Sequence, residues 1–148
     1  MLILLGGMIA GALDIAFACT FWALKANVPV ERILQSVAAG LLGRESFEGG
    51  SATASLGLLV HFLMTGAMAA AYYIAARNKP LLWQRPVLCG GLYGVLLYAI
   101  MNFVVVPLSA AAPSPKDALW ISLSVVAHVV LVGIPIALAS RYAMIRAR

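Results

Sequence analysis

Four polar groups stand inside stretches that are otherwise apolar: Asp14, His61, Asn102 and His128. A carboxyl and two imidazoles gathered in one layer can exchange protons, because imidazole changes charge near neutral pH and intramembrane acids mark proton or ion routes. Asn102 adds one donor group and one acceptor without charge. Other chemistries fit the same residues. His61 and His128 on facing helices could be the axial ligands of a b-type haem. The two histidines with Asp14 could hold a metal, although no ligand spacing is readable along a single helix. The plain alternative is a structural polar knot that keeps helices in register, at about 0.6 kcal/mol per interhelical hydrogen bond.

Spacing places each group on a stripe. Gly7, Gly11, Asp14 and Ala18 follow 4-3-4 spacing, as do His61, Thr65, Met68 and Tyr72, and Ser124, His128, Leu131 and Pro135. Gly90, Gly94, Tyr98 and Asn102 follow 4-4-4 spacing. Residues three or four apart share a helix face, and small or polar residues on one face are what membrane helices turn toward each other. The Gly7/Gly11 and Gly90/Gly94 pairs therefore read as packing positions. Pro135 removes a backbone bond to Leu131 and predicts a bend beside His128.

The elements that must carry these stripes follow from composition. The chain has 148 residues, of which 64% are hydrophobic and 10% charged, against roughly 45–50% and 25% in a soluble domain. Mean hydropathy is +1.01. That excludes a water-soluble enzyme and a disordered chain, and points to a single integral membrane domain, 1–148. Four stretches reach the roughly 20 residues a span needs, at about 2–24, 53–76, 86–109 and 118–140. Backbone groups in lipid must be satisfied within the segment, so the spans are helices and the fold class is all-α, a four-transmembrane-helix bundle. At 1.5 Å rise per residue, Asp14 lies about 16 Å from the inner edge, His61 and Asn102 about 20 Å, and His128 about 15–18 Å. An ionised Asp at that depth costs at least ~2.5–3.5 kcal/mol, so it must be protonated, paired or facing water.

Charge orients the threading. Arg77, Lys79, Arg85, Arg141, Arg146 and Arg148 lie on one side with no acid. Lys25, Arg32, Arg44 and Lys116 lie on the other with Glu31, Glu45, Glu48 and Asp117. The positive-inside rule then puts both termini in the cytoplasm, with Trp22 and Trp120 at the outer interface and Trp83 at the inner one. A lipoprotein-like reading of Ala16-Phe17-Ala18-Cys19 meets three objections: no base precedes the apolar run, Asp14 interrupts it, and it continues to Leu24. Cys19 and Cys89 differ in depth by roughly 20 Å, beyond disulfide reach.

The connection 28–50 contains an amphipathic pattern over 29–42, opened by Pro29 and closed by Gly43. It is too short to span, and reads as an outer interfacial helix, a surface cap, with a re-entrant lid over a cavity as the alternative. A duplicated two-helix hairpin is a second organisational reading. Ser55-Leu56, His61 and Gly66 recur as Ser122-Leu123, His128 and Gly133 at an offset of 67, and Gly7 and Gly11 recur as Gly90 and Gly94 at an offset of 83.

HExxH, G-x-S-x-G, GxxxxGK[ST] and cysteine-cluster motifs are absent, so an enzyme is not the expectation. The net charge of +5 belongs to the cytoplasmic flanks, and nucleic acid is not an expected partner. The stretch 61–108, through His61, Tyr72-Tyr73, Leu82-Trp83-Gln84, Gly90/Gly91, Met101, Phe103 and Pro107-Leu108, resembles the YagU-like family of bacterial inner-membrane proteins of unknown function. The resemblance implies a small helical protein of the bacterial cytoplasmic membrane and supplies no catalytic residue.

The functional expectation is proton-linked transport or conduction of a small solute through the Asp14, His61, Asn102 and His128 layer. The competing expectation is a structural or accessory subunit of a larger membrane complex. A lone four-helix bundle leaves little room for a pathway, so transport implies a homo-oligomer and the accessory role a partner membrane subunit. Resident cofactors are not expected, apart from the haem alternative.

Overall fold

The computed structural model describes residues 2–146; Arg148, counted above in the basic tail, lies outside them, as does Met1. Six helices follow in chain order. The first, α1, is Leu2–Ala26, and the short α2 is Val30–Leu42. Next come α3, Gly50–Asn78, and a single turn α4, Pro80–Gln84. The last two, α5 and α6, are Pro86–Leu108 and Ala118–Arg146. No strand occurs among the described residues. The four long helices are apolar and long enough to cross a membrane. Each runs close to its expected bounds, but α1, α3 and α6 continue past the apolar stretch. α1 stops just before Asn27 and α3 just before Lys79-Pro80, and Lys25, Arg77 and Arg146 in last turns suit the negative end of the macrodipole.

The outside of the bundle is apolar. Leu4, Leu63, Leu92, Phe103, Leu59 and Ile9 are all exposed, the arrangement expected where the solvent is hydrocarbon. Its inside is built from small residues. The core is Ala10, Ala69, Tyr72, Ala76, Leu97 and Ile136 with their neighbours, and it fills the half of the bundle nearer the chain termini. Two tyrosine hydroxyls tie this half to backbone: buried Tyr72 donates to the Leu82 carbonyl and half-buried Tyr93 to the Met68 carbonyl, each at 2.8 Å. Cys19 and Cys89 are free thiols.

Glycines set the helix crossings. A Cβ on Gly7 would press on Gly66 and Thr65 of α3, and one on Gly90 would overlap the Gly133 carbonyl of α6. A Cβ on Gly94 would overlap the backbone of His128, and one on Gly11 would overlap the Thr65 hydroxyl. Backbones approach this closely only where no side chain intervenes.

Two turns of π-helix interrupt α5 and α6, at Met101–Val105 and His128–Gly133. Each is followed within two residues by a proline, Pro107 and Pro135. Proline has no N–H for the fourth preceding carbonyl and its ring crowds that carbonyl, and a widened turn relieves both. Beside His128 the helix is interrupted by this widened turn, and α5 has a counterpart containing Asn102.

The amphipathic segment is a lid as much as a cap. Starting at the β-region Pro29 and stopping at Gly43, whose φ is 61°, α2 lies across the bundle end. Gln35 is buried and donates to the Gly50 carbonyl at 3.1 Å. The Ala110 N–H bonds the Gly40 carbonyl at 3.1 Å. Ile33, Ser36, Val37, Gly40 and Leu41 face a cavity beneath. Amphipathicity shows that one face of α2 is covered, and here that face lies over the cavity. Gly57 of α3 makes the approach feasible, since a Cβ there would overlap the Leu34 carbonyl. Gly57→Ala is expected to lift α2 and speed amide exchange over 30–42 by at least about tenfold, leaving α5 unchanged. Hydrogen-exchange mass spectrometry reads both regions at once.

Candidate functional site

While the terminal half is packed, the α2 half is hollow. A cavity of about 390 Å³ lies there, within the roughly 300–1,000 Å³ of small-molecule sites. Asp14, His61, Asn102 and His128 all line it. Four different stretches of sequence therefore meet at one floor. α1 brings Asp14 one turn beyond the Gly11 crossing, α3 brings His61, and the two π turns bring Asn102 and His128.

Asp14 lies between the imidazoles. Its Oδ2 is 4.0 Å from His61 Nε2 and its Oδ1 is 3.8 Å from His128 Nδ1. Both separations exceed a hydrogen bond. Each ring instead bonds a backbone carbonyl. His61 Nε2 is 2.9 Å from the Gly11 carbonyl oxygen, and His128 Nδ1 is 2.9 Å from that of Ser124. A carbonyl oxygen only accepts, so those nitrogens carry the protons, which fixes the tautomers of the neutral rings. The nitrogens left over, Nδ1 of His61 and Nε2 of His128, are acceptors. Asn102 is partly occupied: its Nδ2 donates one N–H to the Tyr98 carbonyl at 3.0 Å, and Ser114 Oγ donates to its Oδ1 at 2.9 Å. The Asp14 carboxylate accepts no hydrogen bond from any described residue. With a side chain 20% exposed, it opens onto the cavity.

No family model, curated protein or solved structure matches this chain. What the site does must be read from its own geometry. Among the described residues no group of three His, Cys, Asp or Glu side chains is set to hold a metal ion.

Several parts of the site were not anticipated as site residues. Phe17, Trp22 and Trp120 wall the cavity near its mouth. The Phe17 and Trp120 rings stack in parallel at 5.9 Å, and Trp22 meets Trp120 at 5.3 Å. Their sequence signal was that of an interfacial belt, which says nothing of whether the rings face outward or each other. Ser124 is buried, its Oγ has no partner, and it lines the cavity. Its position on the His128 stripe was the only available signal. Tyr98 places its ring edge-on to His128 at 5.5 Å.

An ion pair lies beside these rings. Lys25 pairs with Asp117, the N-cap of α6, which accepts from the Trp120 N–H at 2.8 Å. The Lys25 ammonium also lies over the Phe21 and Trp22 rings, at 5.4 and 6.0 Å. Hydrogen bonding from Lys25, and then from the Trp120 amide, holds the Asp117 carboxyl below its ordinary 3.8. A carboxyl lowered in the folded state stabilises above its unfolded value and loses that contribution as pH falls through the folded one. Acidification below about pH 4 is therefore expected to loosen this clasp and shift the tryptophan emission. Asp117→Asn is expected to show the acid-state emission at neutral pH.

Proposed function

We propose that this small membrane protein binds a small solute in the cavity and exchanges a proton at Asp14 as it does so, with His61 and His128 relaying. The observation that carries the reading is a carboxylate in the interior of an apolar bundle that no hydrogen bond satisfies and that opens onto a cavity. Such a group needs a proton or a ligand, because leaving it ionised and alone is costly. A purely structural knot would satisfy its acid; here both histidine N–H groups go to carbonyls instead. The π turns at Asn102 and His128 support the reading as well, since such bulges concentrate at functional sites.

In this reading the cavity faces outward, the termini lie in the cytoplasm, and the membrane is a bacterial inner membrane. Charge asymmetry supports the orientation, and the YagU-like segment supports the location. A duplicated hairpin is part of it. The pairs that the offsets relate meet in matching ways: Gly7 packs on Gly66 as Gly90 packs on Gly133, and Gly11 touches His61 as Gly94 touches His128. Proton-linked transport would follow if the packed terminal half opened while α2 closed, an alternation that a homo-oligomer would support. As an accessory subunit the chain would instead present its apolar faces to a partner, a reading that leaves the cavity and its carboxylate without a role.

The test is a panel of small cationic, neutral and anionic solutes added to the purified protein in weakly buffered detergent. Binding read by tryptophan emission, accompanied by a change in solution pH, is expected for some members. Binding with no change in bound protons overturns the reading. Purified protein is also expected to show no Soret band, because Nε2 of His61 donates to the Gly11 carbonyl and Asp14 occupies the space between the rings. A red preparation that loses its colour in His128→Ala would establish the haem alternative.

A further inference from the structure

We infer that the solute is a small primary or secondary ammonium ion carrying an apolar or aromatic body, its N–H groups donated to Asp14 and its body held among Phe17, Trp22 and Trp120. This rests on the binding role proposed for the cavity and names the chemical class it takes.

The hydrogen-bond inventory of the floor carries the inference. With both rings neutral, each N–H is committed to a carbonyl, so His61 and His128 offer acceptors only. Asn102 has one N–H committed to Tyr98 and one left over, while its oxygen already accepts from Ser114. The carboxylate of Asp14 is acceptor-only and unfilled. Ser124, whose Oγ lacks a partner, is the one hydroxyl at the floor able to accept or donate. Acceptors outnumber the free donors of Asn102 and Ser124 on this floor, which disfavours carboxylates and phosphates, whose lone pairs meet more lone pairs. The floor suits a group with several N–H donors. The single negative charge of Asp14 suits a monovalent cation, and an ammonium beside this half-buried carboxylate forms the stronger, charge-assisted bonds.

The walls fix the rest of the molecule. Above the floor the lining is apolar, with Met64, Met101, Ile33 and Val37 beside the aromatic rings. Aromatic faces attract the positive edge of a cationic ligand and pack against a flat body. The titratable groups around Asp14 are His61 of α3 and His128 of α6, with Tyr98 of α5 behind His128. α2 brings none to the lining, and Lys25 and Asp117 at the mouth neutralise each other. A proton and an ammonium ion therefore compete for one carboxylate, and binding of the cation releases the proton.

Equilibrium dialysis of the purified full chain against four probes of one shape tests this. Benzylamine has charge and N–H groups, benzyltrimethylammonium has charge without them, benzyl alcohol has a neutral donor, and benzoate is an anion. Benzylamine is expected to bind at least about tenfold more tightly than the other three. Its apparent Kd is expected to rise by up to about tenfold for each pH unit by which the pH falls, where the proton competes. Asp14→Asn is expected to remove that advantage while keeping its thermal transition, and Trp120→Leu to weaken benzylamine without removing the pH dependence. Equal binding of the quaternary ion or the alcohol overturns the inference, as does failure of benzylamine to bind. If benzoate or the alcohol binds preferentially and changes the bound protons, the amine class falls while the proton-linked site stands. If solutes bind with no proton change, both fall.

Discussion

Asp14→Asn is expected to fold, to melt no lower than the wild type, and to bind solute without any change in bound protons. The amide keeps the size and shape of the side chain and gains two donors. It loses an ionisation that costs at least ~2.5–3.5 kcal/mol near the centre of a bilayer. The described residues leave the carboxylate without a hydrogen bond, at 3.8 and 4.0 Å from the nearest imidazole nitrogens, so the substitution breaks no short contact. Stability should hold or rise, by up to a few kcal/mol, while proton linkage disappears because an amide releases no proton at physiological pH. His61→Gln should reduce linkage less, since a water can bridge a missing relay. The measurements are thermal unfolding in detergent and proton release on binding for both variants. Retained proton release in Asp14→Asn would remove the proton role from Asp14. A collapsed fold would make the carboxylate a structural group after all.

Much of this arrangement was legible in the sequence because membranes impose strong periodicity. An apolar run of sufficient length has one solution in lipid, so the four long helices follow from composition. The small-residue stripes followed from the need for close backbone approach, and Gly7, Gly90 and Gly94 do stand at crossings. The meeting of Asp14, His61, Asn102 and His128 around one cavity was legible only as a shared depth; depth restricts a residue to a layer, not to a neighbour. The choice between cap and lid was not legible. Whether α2 covers lipid or a hollow depends on Gly57 and on the buried Gln35 bonds to α3, contacts far apart in sequence. The π turns were also hidden, since Pro107 and Pro135 announce a lost hydrogen bond without saying how the helix absorbs it. Nor did the sequence show that one chain holds a solute-sized cavity. That hollow exists because the glycines draw the helices together in the terminal half while the aromatic residues keep them apart near α2.

Gly94→Ala is expected to be strongly destabilising, and Gly66→Ala to be harmless. Lipid provides no hydrophobic drive for one helix to join another, so van der Waals contact and hydrogen bonds hold the crossing. At Gly94 a methyl would overlap the carbonyl oxygen and carbon of His128 and press on the Val129 Cα. These are backbone atoms of a π turn and cannot rotate away as a side chain would. Overpacking typically costs about 1–3 kcal/mol, and a rigid neighbour places Gly94→Ala at or above the top of that range. α5 and α6 must separate, which also loosens Gly133 against Gly90 on the same crossing and moves His128 away from Asp14. The variant should therefore lose binding together with stability. Gly66 lies at the α1–α3 crossing, yet a methyl there would meet nothing within 4 Å. Its replacement by Ala removes backbone freedom and gains up to about 1 kcal/mol in helix propensity. The pair isolates close approach from the mere presence of glycine in a membrane helix. Thermal unfolding of both variants, with benzylamine binding as a second reading, decides it. If Gly94→Ala melts with the wild type, the α5–α6 crossing is not held by backbone contact, and the His128 turn must be positioned by something other than Gly94.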